Sequence, residues 1–333
     1  MQPRKVQVVI VTPALADANN GNWRTAQRWR RFLEPLYRTR LVKEWPDEDA
    51  AADSLMIALH ARRSATSIAA WCEHQTGPSL VVVLTGTDLY RDIHTDTSAQ
   101  HSLELADLLV TLQERGPLAL LPAHRAKTRV IFQSAAKRAM LPKTSRHFRA
   151  LMVGHLRAEK SPATLFAVAR MIEPDEGILI DHVGGPLDRV LASEAEATMA
   201  ACPHYRWLGN RPHEETRRRI QRAHVLVHCS QIEGGSHAIL EAVACGTPVL
   251  ASAIDGNIGL LGENYAGYFP WGDAGRLTHL LRQCSKAQAD PAALLQQIKA
   301  QITARASLFA PLAEQQAVRQ LVADLLTKRD EVK

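Results

Sequence analysis

Several features that identify common protein classes are absent from this chain of 333 residues. It has no run of roughly 18 or more apolar residues, so neither a membrane-spanning helix nor stable membrane insertion is predicted. Its five cysteines are scattered and form no C-x-x-C pair, which favours neither a disulfide framework nor a zinc site. The apolar segment Val6–Val11 is too short for a secretory signal. We therefore expect a protein of the reducing cytoplasm.

Aromatic residues are also scarce, at 5% of the chain, and no recognisable nucleic-acid reading element is present. The net charge is nevertheless +6, from 40 Lys and Arg against 34 Asp and Glu, with arginine clusters such as Arg217–Arg219. Such clusters fit solvated helix faces, a polyanionic small substrate or a nucleic acid. We predict no nucleic-acid partner, and keep a basic nucleic-acid-binding protein as a rival interpretation that lacks motif support.

Motifs of several enzyme classes are missing as well. No G-x-G-x-x-G, G-K-[ST], H-E-x-x-H or G-x-S-x-G string occurs. Dinucleotide-dependent hydride transfer, P-loop chemistry, zinc proteolysis and serine hydrolysis therefore have no support from the sequence.

Short apolar segments alternate with helical ones along the whole chain, which is typical of an α/β protein. The candidate strands of a first domain are Val6–Val11, Leu55–Leu59, Leu80–Leu84, Leu108–Thr111 and Thr128–Phe132. Those of a second domain are Phe148–Val153, Ile178–Val183, Tyr205–Leu208, Val225–Cys229 and Pro248–Ala251. Because most of these segments are apolar on both faces, we expect two doubly wound domains with parallel sheets.

A polar, proline-containing stretch at 141–146 separates the two sets of strands. The predicted domains are therefore residues 1–145 and residues 146–310. Beyond Pro311 the apolar residues keep roughly helical spacing, so residues 311–333 are predicted to form an amphipathic helix that crosses back to the first domain.

The segment that follows the candidate strand Val225–Cys229 combines a glycine-containing loop with a helix start. Ser236 is placed to cap the helix, and Gly234 and Gly235 leave the preceding backbone amides open to a ligand. Glu233 lies in the loop and Glu241 more than a turn into the helix. Two carboxylates at this spacing reach different parts of one ligand, and each can accept hydrogen bonds from a vicinal diol.

This segment resembles the donor site of the family-4 glycosyltransferases of the GT-B fold. In that family two glutamates have seven residues between them, and the second begins an E-A-x-A-x-G-x-P-V string, here Glu241–Val249. The resemblance implies an α/β fold of two Rossmann-like, doubly wound domains facing a central cleft. It also implies a nucleotide-sugar donor, with Glu241 at the ribose, and with Glu233 and the amides near Gly234–His237 at the hexose.

A second segment, Val153–Pro162, looks like the family's G-R-L-x-x-E-K-G loop. The resemblance implies that Arg157 and Lys160 carry the pyrophosphate and stabilise the departing nucleotide, which removes the need for a metal or another cofactor. His155 stands where the family usually has arginine, so which side chain meets the phosphate is left open. Asp47-Glu48-Asp49 fits the D-x-D pattern of metal-dependent relatives, but it follows Pro46 in a polar segment and is predicted to be solvated.

Acceptor-binding residues are expected in the first domain, where strand ends face the cleft. One candidate loop runs from Thr12 to Thr25, where Gly21 and Asn22 match a family loop that presses on donor and acceptor. Two more loops follow the strands that end at Leu59 and Leu84. The candidate acceptor-binding residues are Arg24, Thr25, His60, Arg62, Arg63, Thr85 and Asp88. Thr85 replaces the histidine that family-4 enzymes often have, and Asp88 fits a helix cap as well as a substrate contact.

Four strings together, A-L-H-A-R-R-S-A, L-T-G-T-D-L-Y-R-D, V-G-H-L-R-A-E-K and D-G-N-I-G-L-L-G-E-N-Y-A-G-Y-F-P, look like one branch, the selenosugar synthases of the selenoneine pathway. The resemblance implies transfer of a hexosamine from UDP-N-acetylglucosamine, or a related UDP-hexose, to selenophosphate, giving a 1-selenosugar and UDP. It also implies a downstream enzyme of that pathway as a partner. Arg62 and Arg63 beside His60 fit a small, highly charged nucleophile, and equally fit the start of a surface helix.

The alternative within enzymes is a conventional UDP-sugar-dependent hexosyltransferase that acts on a hydroxyl acceptor. It predicts transfer to an alcohol without selenophosphate.

Overall fold

The computed structural model describes residues 6–13, 21–75, 77, 79–286 and 293–331. The chain divides into two compact units, one formed by Met1–Gln133 with Pro311–Lys333 and the other by Ser134–Ala310. The sequence placed the boundary near residue 145, whereas the structure begins the second unit twelve residues earlier, at Ser134. The reason is that this segment contacts helices of the second unit. Arg138 pairs with Glu214 at 2.6 Å, and Gln221 donates to the Ala139 carbonyl at 2.6 Å.

The first unit contains a parallel sheet of six strands in the order β2-β1-β3-β4-β5-β6. The strands are β1 Gln7–Val11, β2 Arg38–Val42, β3 Leu55–Leu59, β4 Leu80–Leu84, β5 Leu108–Thr111 and β6 Thr128–Val130. The helices before β6 are α1 Gly21–Leu33, α2 Ala65–His74, α3 Ile93–Thr95, α4 Thr97–Leu105 and α5 Pro122–Arg125.

Every residue of β3 and β4 is buried, because helices cover both faces of this sheet. Alternate strand residues contribute to two separate cores. Ile57 packs on the side of α1 with Trp29, and its neighbour Met56 packs on the side of α2 with Trp71.

The second unit repeats this architecture with six parallel strands in the order β12-β11-β10-β7-β8-β9. The strands are β7 Phe148–Val153, β8 Ile178–Val183, β9 Tyr205–Trp207, β10 Val225–His228, β11 Val249–Ser252 and β12 Tyr268–Phe269. The helices are α6 Pro162–Met171, α7 Arg189–Ala201, α8 His213–Arg222, α9 His237–Cys245, α10 Asp255–Leu261, α11 Ala274–Lys286 and α12 Leu294–Arg305.

The strand order of the second unit reverses direction between β7 and β10, which pair directly with each other. The connections from β7 run outward to one edge of the sheet, and those from β10 run to the other. In open parallel sheets, ligands bind outside the carboxyl ends of the strands at such a switch point. We therefore expect a ligand site at the loops that follow β7 and β10.

The helix α13, Pro311–Glu331, belongs to the first unit. Val318, Val322 and Leu325 are fully buried in the same core as Trp29 of α1. Glu314, which is 1% exposed, accepts hydrogen bonds from Arg28 Nε and Nη2 at 2.7 and 3.0 Å and from the Trp29 indole N–H at 2.8 Å. This buried carboxylate joins α13 to α1.

The fold class predicted from the sequence, two Rossmann-like α/β domains, is confirmed. The sequence missed β2, an edge strand that begins with exposed Arg38, and β12, which has only two residues. No helix among the described residues is long and apolar enough to cross a bilayer.

Replacing Glu314 by alanine is expected to lower the free energy of unfolding of the protein by about 3 kcal/mol, since the Arg28 charge and the Trp29 N–H lose their acceptor in a buried setting. Urea unfolding monitored by tryptophan fluorescence measures this. The matched control is Glu34→Ala, which removes a carboxylate paired with Arg30 on the exposed side of α1 and is expected to change stability by about 0.5 kcal/mol or less. Equal losses in the two variants would contradict the assignment.

Candidate active site

Two loops meet at the switch point of the second unit and bring Lys160 and Glu233 into direct contact. Lys160 lies in the loop after β7 and Glu233 in the loop after β10, and the ammonium donates to the carboxylate. The backbone reinforces the junction, because the Gln231 amide donates to the Glu159 carbonyl at 2.9 Å. The sequence predicted both residues as site residues, and the structure brings them together.

Glu233 is buried, with 7% of its surface exposed. Burial opposes ionisation of its carboxyl, but the charge of Lys160 and the hydrogen bond from His228 Nε2, at 3.2 Å, outweigh burial and hold the pKa of Glu233 well below its usual value. The carboxylate is therefore charged at neutral pH and acts as a hydrogen-bond acceptor.

His228, the last residue of β10, was not predicted as a site residue. Its Nε2 lies 2.8 Å from the Ser236 hydroxyl and 3.2 Å from Glu233. Its Nδ1 is buried without a hydrogen-bond partner among the described residues. A proton on Nε2 serves the two acceptors beside it, whereas a proton on Nδ1 would have none, so the geometry favours the Nε2–H tautomer. The signal in the sequence was a histidine that ends an otherwise apolar strand, V-L-V-H.

The loop after β10 leads into α9 as the sequence predicted. Ser236 caps this helix by accepting the Ile239 amide at 3.5 Å, while Gly234 is buried and Gly235 and His237 are half-buried. Amides at a helix N-terminus attract anions and hydroxyl oxygens. Gly256 packs directly against this loop, since a Cβ at Gly256 would lie only 2.1 Å from the Glu233 carbonyl oxygen.

The loop after β7 is held by the neighbouring strand. His182 of β8 lies 3.0 Å from the Gly154 carbonyl through Nε2, and its Nδ1 lies 3.0 Å from the Tyr205 hydroxyl. Gly184 passes so close that a Cβ there would lie 1.9 Å from the Gly154 oxygen. At the far end, Ser161 has a left-handed φ of 46° and accepts the indole N–H of Trp271 at 2.9 Å. These contacts hold the loop on both sides of Lys160, at Gly154 and at Ser161.

His155 and Arg157, the other predicted phosphate contacts, are exposed in the same loop. The Gly185 amide donates to His155 Nδ1 at 2.9 Å, which leaves Nε2 as the protonated nitrogen of a neutral ring. No hydrogen bond or ion pair joins the Arg157 guanidinium to another described residue. Which of the two meets a phosphate stays a prediction.

Glu241, the second predicted glutamate, faces α8 rather than Lys160. His213 Nε2 lies 2.5 Å from its carboxylate and Arg217 lies 3.9 Å away. Sequence reasoning placed Arg217 on a solvated face and did not select His213, because no local pattern links α8 to α9. These two side chains orient the Glu241 carboxylate, and its role at a ribose stays a prediction.

The second-unit site therefore offers a lysine, an exposed arginine and helix-end amides next to two oriented carboxylates. The cations and amides are suited to a phosphorylated ligand, and the carboxylates to hydroxyl groups.

The predicted acceptor residues in the first unit form a second cluster around His60. This residue follows β3, is 2% exposed and has a left-handed φ of 75°, which is strained for a non-glycine residue. The Arg63 amide donates to its Nδ1 at 3.3 Å, and its Nε2 lies 3.1 Å from the Thr87 hydroxyl. Burial lowers the pKa of His60 despite the attraction of Asp88, so the ring is neutral at neutral pH.

Asp88 is fully buried and connects two loops of the first unit. Its carboxylate accepts the amides of Ala61, Thr85 and Gly86 at 3.0, 2.8 and 2.9 Å. The helix cap expected from the sequence was wrong, because these amides precede Asp88 and the N-cap of the helical turn Asp88–Asp92 is Thr87. The contact of Asp88 with an acceptor stays a prediction.

The remaining predicted acceptor residues differ in their exposure and in the contacts that their side chains already make. Arg62 is engaged by Asp92 at 3.1 Å, whereas Arg63 is exposed and its side chain has no hydrogen bond or ion pair to a described residue. Thr25 is 1% exposed, and its hydroxyl donates to the Gly21 carbonyl and accepts from Gln133. Arg24 is half-buried.

Gly21 and Asn22, predicted in a loop, instead form the first turn of α1. The physical reason is the helical spacing of buried Ala26, Trp29 and Leu33, which extends the amphipathic pattern back to Gly21. Residues 14–20 of the predicted loop lie outside the described residues. Their contact with a donor stays a prediction.

The D-x-D string of the first unit is partly neutralised. Arg40 contacts Asp47 through two nitrogens at 2.6 and 2.7 Å and so lowers the pKa of that carboxyl.

The free energy of unfolding is expected to fall as the pH drops from about 6.5 towards 4. Burial lowers the pKa of His182 to about 4, and that of His224 to about 4, so the unfolded chain binds protons that the folded chain does not. Each of these histidines contributes a slope of about 1.4 kcal/mol per pH unit in this window. Urea unfolding at several pH values should show a shallower slope for His182→Gln. Exposed His279→Gln is the control, and an identical slope in both variants would contradict the assignment.

Solved structures share the fold of this chain over most of its length. HepE of Anabaena in complex with UDP-glucose has 15% sequence identity and a TM-score of 0.72, with 96% of this chain and 99% of that chain covered. Sucrose-phosphate synthase from Thermosynechococcus elongatus has 18% identity and a TM-score of 0.73, covering 97% and 100% of the two chains. The pneumococcal O-GlcNAc transferase GtfA, in complex with UDP and GlcNAc, has 14% identity and a TM-score of 0.61, covering 81% and 57%.

The family described as "Glycosyl transferases group 1" matches residues 133–300, just over half of the chain. The match includes both loops of the switch point and the whole of α9. With its two Rossmann-like units and this sequence match, the chain belongs to the group 1 glycosyltransferases of the GT-B fold.

Proposed function

We propose that the protein transfers a hexose from a UDP-sugar and that its second unit binds this donor. The observation that carries the proposal is the contact of Lys160 with Glu233 where the family's donor motif meets the switch point of the sheet. The complexes of HepE with UDP-glucose and of GtfA with UDP and GlcNAc support a UDP-linked donor.

Donor binding requires Lys160 to change partners. Without a ligand its ammonium neutralises Glu233, and a diphosphate offers a stronger anion at the same loop. When Lys160 turns to the diphosphate, Glu233 becomes available to the hexose hydroxyls while His228 still holds one carboxylate oxygen. One ligand then satisfies both charges, so a diphosphate without its sugar leaves Glu233 poorly paired.

The chemical step breaks the bond between the anomeric carbon and the diphosphate oxygen, and the electron pair leaves with UDP. Lys160 and Arg157 neutralise the charge that develops on the leaving group, which is the electrostatic contribution that lowers the barrier most. Glu241 at the ribose, and the amides of residues 234–237 at the hexose, hold the donor in position. We propose that these groups suffice without a metal or another cofactor.

For the acceptor we propose selenophosphate, whose selenium forms the new bond to the anomeric carbon. The resemblance to selenosugar synthases supports this assignment, as does exposed Arg63 beside His60 in the first unit. His60 is neutral and donates towards Thr87, so it is poorly arranged to remove a proton from an alcohol. An anionic selenium nucleophile needs no such base. Water must then cleave the selenium–phosphorus bond, releasing phosphate and the 1-selenosugar. A cytoplasmic location and a downstream enzyme of selenoneine synthesis remain part of this proposal.

The test is the release of UDP from UDP-N-acetylglucosamine, with and without selenophosphate, in the presence of EDTA and with mass spectrometry of the products. We expect UDP release only with selenophosphate, together with a selenium-containing hexosamine. Release onto an alcohol without selenophosphate would instead support the conventional hexosyltransferase. Activity that EDTA abolishes and Mg²⁺ restores would contradict the metal-free mechanism.

Replacing the His228 side chain is expected to lower kcat/KM for sugar transfer and to leave the Kd of UDP nearly unchanged. In His228→Leu the Glu233 carboxylate loses a donor worth about 1.5–3 kcal/mol, so kcat/KM should fall roughly 10- to 100-fold. His228→Gln keeps an N–H near the position of Nε2 and should restore part of this loss. The assay compares kcat/KM with the Kd of UDP from calorimetry.

The matched control is His204→Leu, because His204 is also buried in the second unit and also has an Nδ1 without a partner among the described residues, but it donates to the Ala169 carbonyl at 2.7 Å away from the switch-point loops. If both leucine variants lose activity equally, His228 acts only through stability and not by positioning Glu233.

A further inference from the structure

A cavity of about 270 Å³ lies at the amino ends of β10 and β11, the opposite edge of the sheet from the switch-point loops. Its lining includes Lys143, Thr144, Ser145, His224, Pro248 and Lys299. These residues come from the segment before β7, the turns before β10 and β11, and helix α12. Nothing in the proposed transfer reaction uses them.

The charge in this cavity is entirely positive. Lys143 and Lys299 both line it, and its lining contains no carboxylate. No hydrogen bond or ion pair joins either ammonium to another described residue. Two like charges that share a partly buried space repel each other and lack a counter-ion, which is unfavourable unless an anion occupies the space.

This environment shifts the pKa of Lys143. Burial lowers its pKa to about 8, and the charge of Lys299 of α12 adds to this shift, whereas only a thiolate at Cys245 of α9 would oppose it. His224, the other titratable group of the lining, contributes no charge at neutral pH. Burial lowers the pKa of His224 to about 4, and its Nδ1 accepts the Arg149 amide at 2.9 Å. The cationic character therefore comes from the two lysines alone.

The other lining groups suit a tetrahedral oxyanion. Thr144 accepts the Arg146 amide at 3.2 Å through its oxygen, so its O–H remains a donor, and Ser145 adds a second hydroxyl. Lysines act as point charges and do not impose the planar geometry that arginine offers to carboxylates. The volume is several times that of one water, which leaves room for a small organic group beside the anion.

We propose that this cavity is a second ligand site, independent of the transfer site, and that it binds a phosphate-class dianion between Lys143 and Lys299. The anion is inorganic phosphate or the phosphoryl group of a small phosphomonoester, since both present the same chemistry. Binding at this site draws a proton onto Lys143 when the solution is near or above the pKa of that residue.

Sulfate is the direct probe, because its charge stays at −2 across the neutral and alkaline range while phosphate titrates. Calorimetric titration of the full chain with sulfate, at constant ionic strength and at pH values from 6.5 to 9.5, should show affinity falling as the pH rises through about 8. Above that pH the decline should approach tenfold per unit, as expected for one linked proton. Buffers of different ionisation enthalpy should report proton uptake near pH 8.

Three variants locate the binding. Lys143→Met should weaken sulfate binding at least tenfold and remove its pH dependence. Lys299→Met should also weaken sulfate binding, but the pH dependence should remain. Lys137→Met is the matched control, since it removes the same charge from an exposed position in the same segment. Lys160→Met controls for sulfate at the transfer site, and it should leave the pH-dependent component intact.

Binding that is lost in Lys160→Met but unchanged in Lys143→Met would overturn the proposal, as would the absence of any pH-dependent sulfate binding. Competition distinguishes the two sources of the anion. If glycerol 2-phosphate displaces sulfate at lower concentration than inorganic phosphate does, the cavity accepts a phosphomonoester; the reverse order assigns it to phosphate itself. Neither compound displacing sulfate would rule out a phosphate site.

Discussion

The contact between Lys160 and Glu233 is the interaction on which the second unit's site depends. It exists because the sheet order places β7 and β10 side by side, so that loops more than seventy residues apart in the chain meet at one edge. Both charges have further neighbours: His228 lies 3.2 Å from the same carboxylate oxygen, Oε1, that Lys160 contacts, and the Lys160 stem lies beside Gly154. A ligand that separates the pair must supply a partner for each charge.

The two units use histidine in different ways. In the second unit, His182 and His228 are buried and their hydrogen bonds hold the loops of the site. In the first unit, His60 occupies a backbone conformation that is costly for a side chain larger than glycine. Asp88 helps to hold that conformation by accepting the Ala61 amide, next to His60, and the Gly86 amide of the neighbouring loop. This strained residue lies in a loop where acceptor residues were predicted.

Much of this architecture could be predicted from the sequence, because strands buried on both faces are continuously apolar. Segments such as Leu55–Leu59 and Ile178–Val183 match their predicted bounds. The polar edge strand β2 could not be predicted this way, since its stability comes from pairing with β1 and not from burial. The loop after β10 was predictable from a local motif, whereas His213 reaches Glu241 from another helix. Contacts between distant elements leave no local pattern in a sequence.

The packing of α13 on α1 makes the first unit discontinuous along the chain, while residues 134–310 are continuous. During synthesis the ribosome therefore completes the second unit while the first still lacks the helix that covers Trp29 and Leu33. The apolar face of α1 that α13 covers stays uncovered until Val318 and Leu325 have been synthesised. Synthesis of the first unit begins before that of the second and ends after it. A truncation within α13 therefore uncovers apolar residues of α1 that are encoded some three hundred codons earlier.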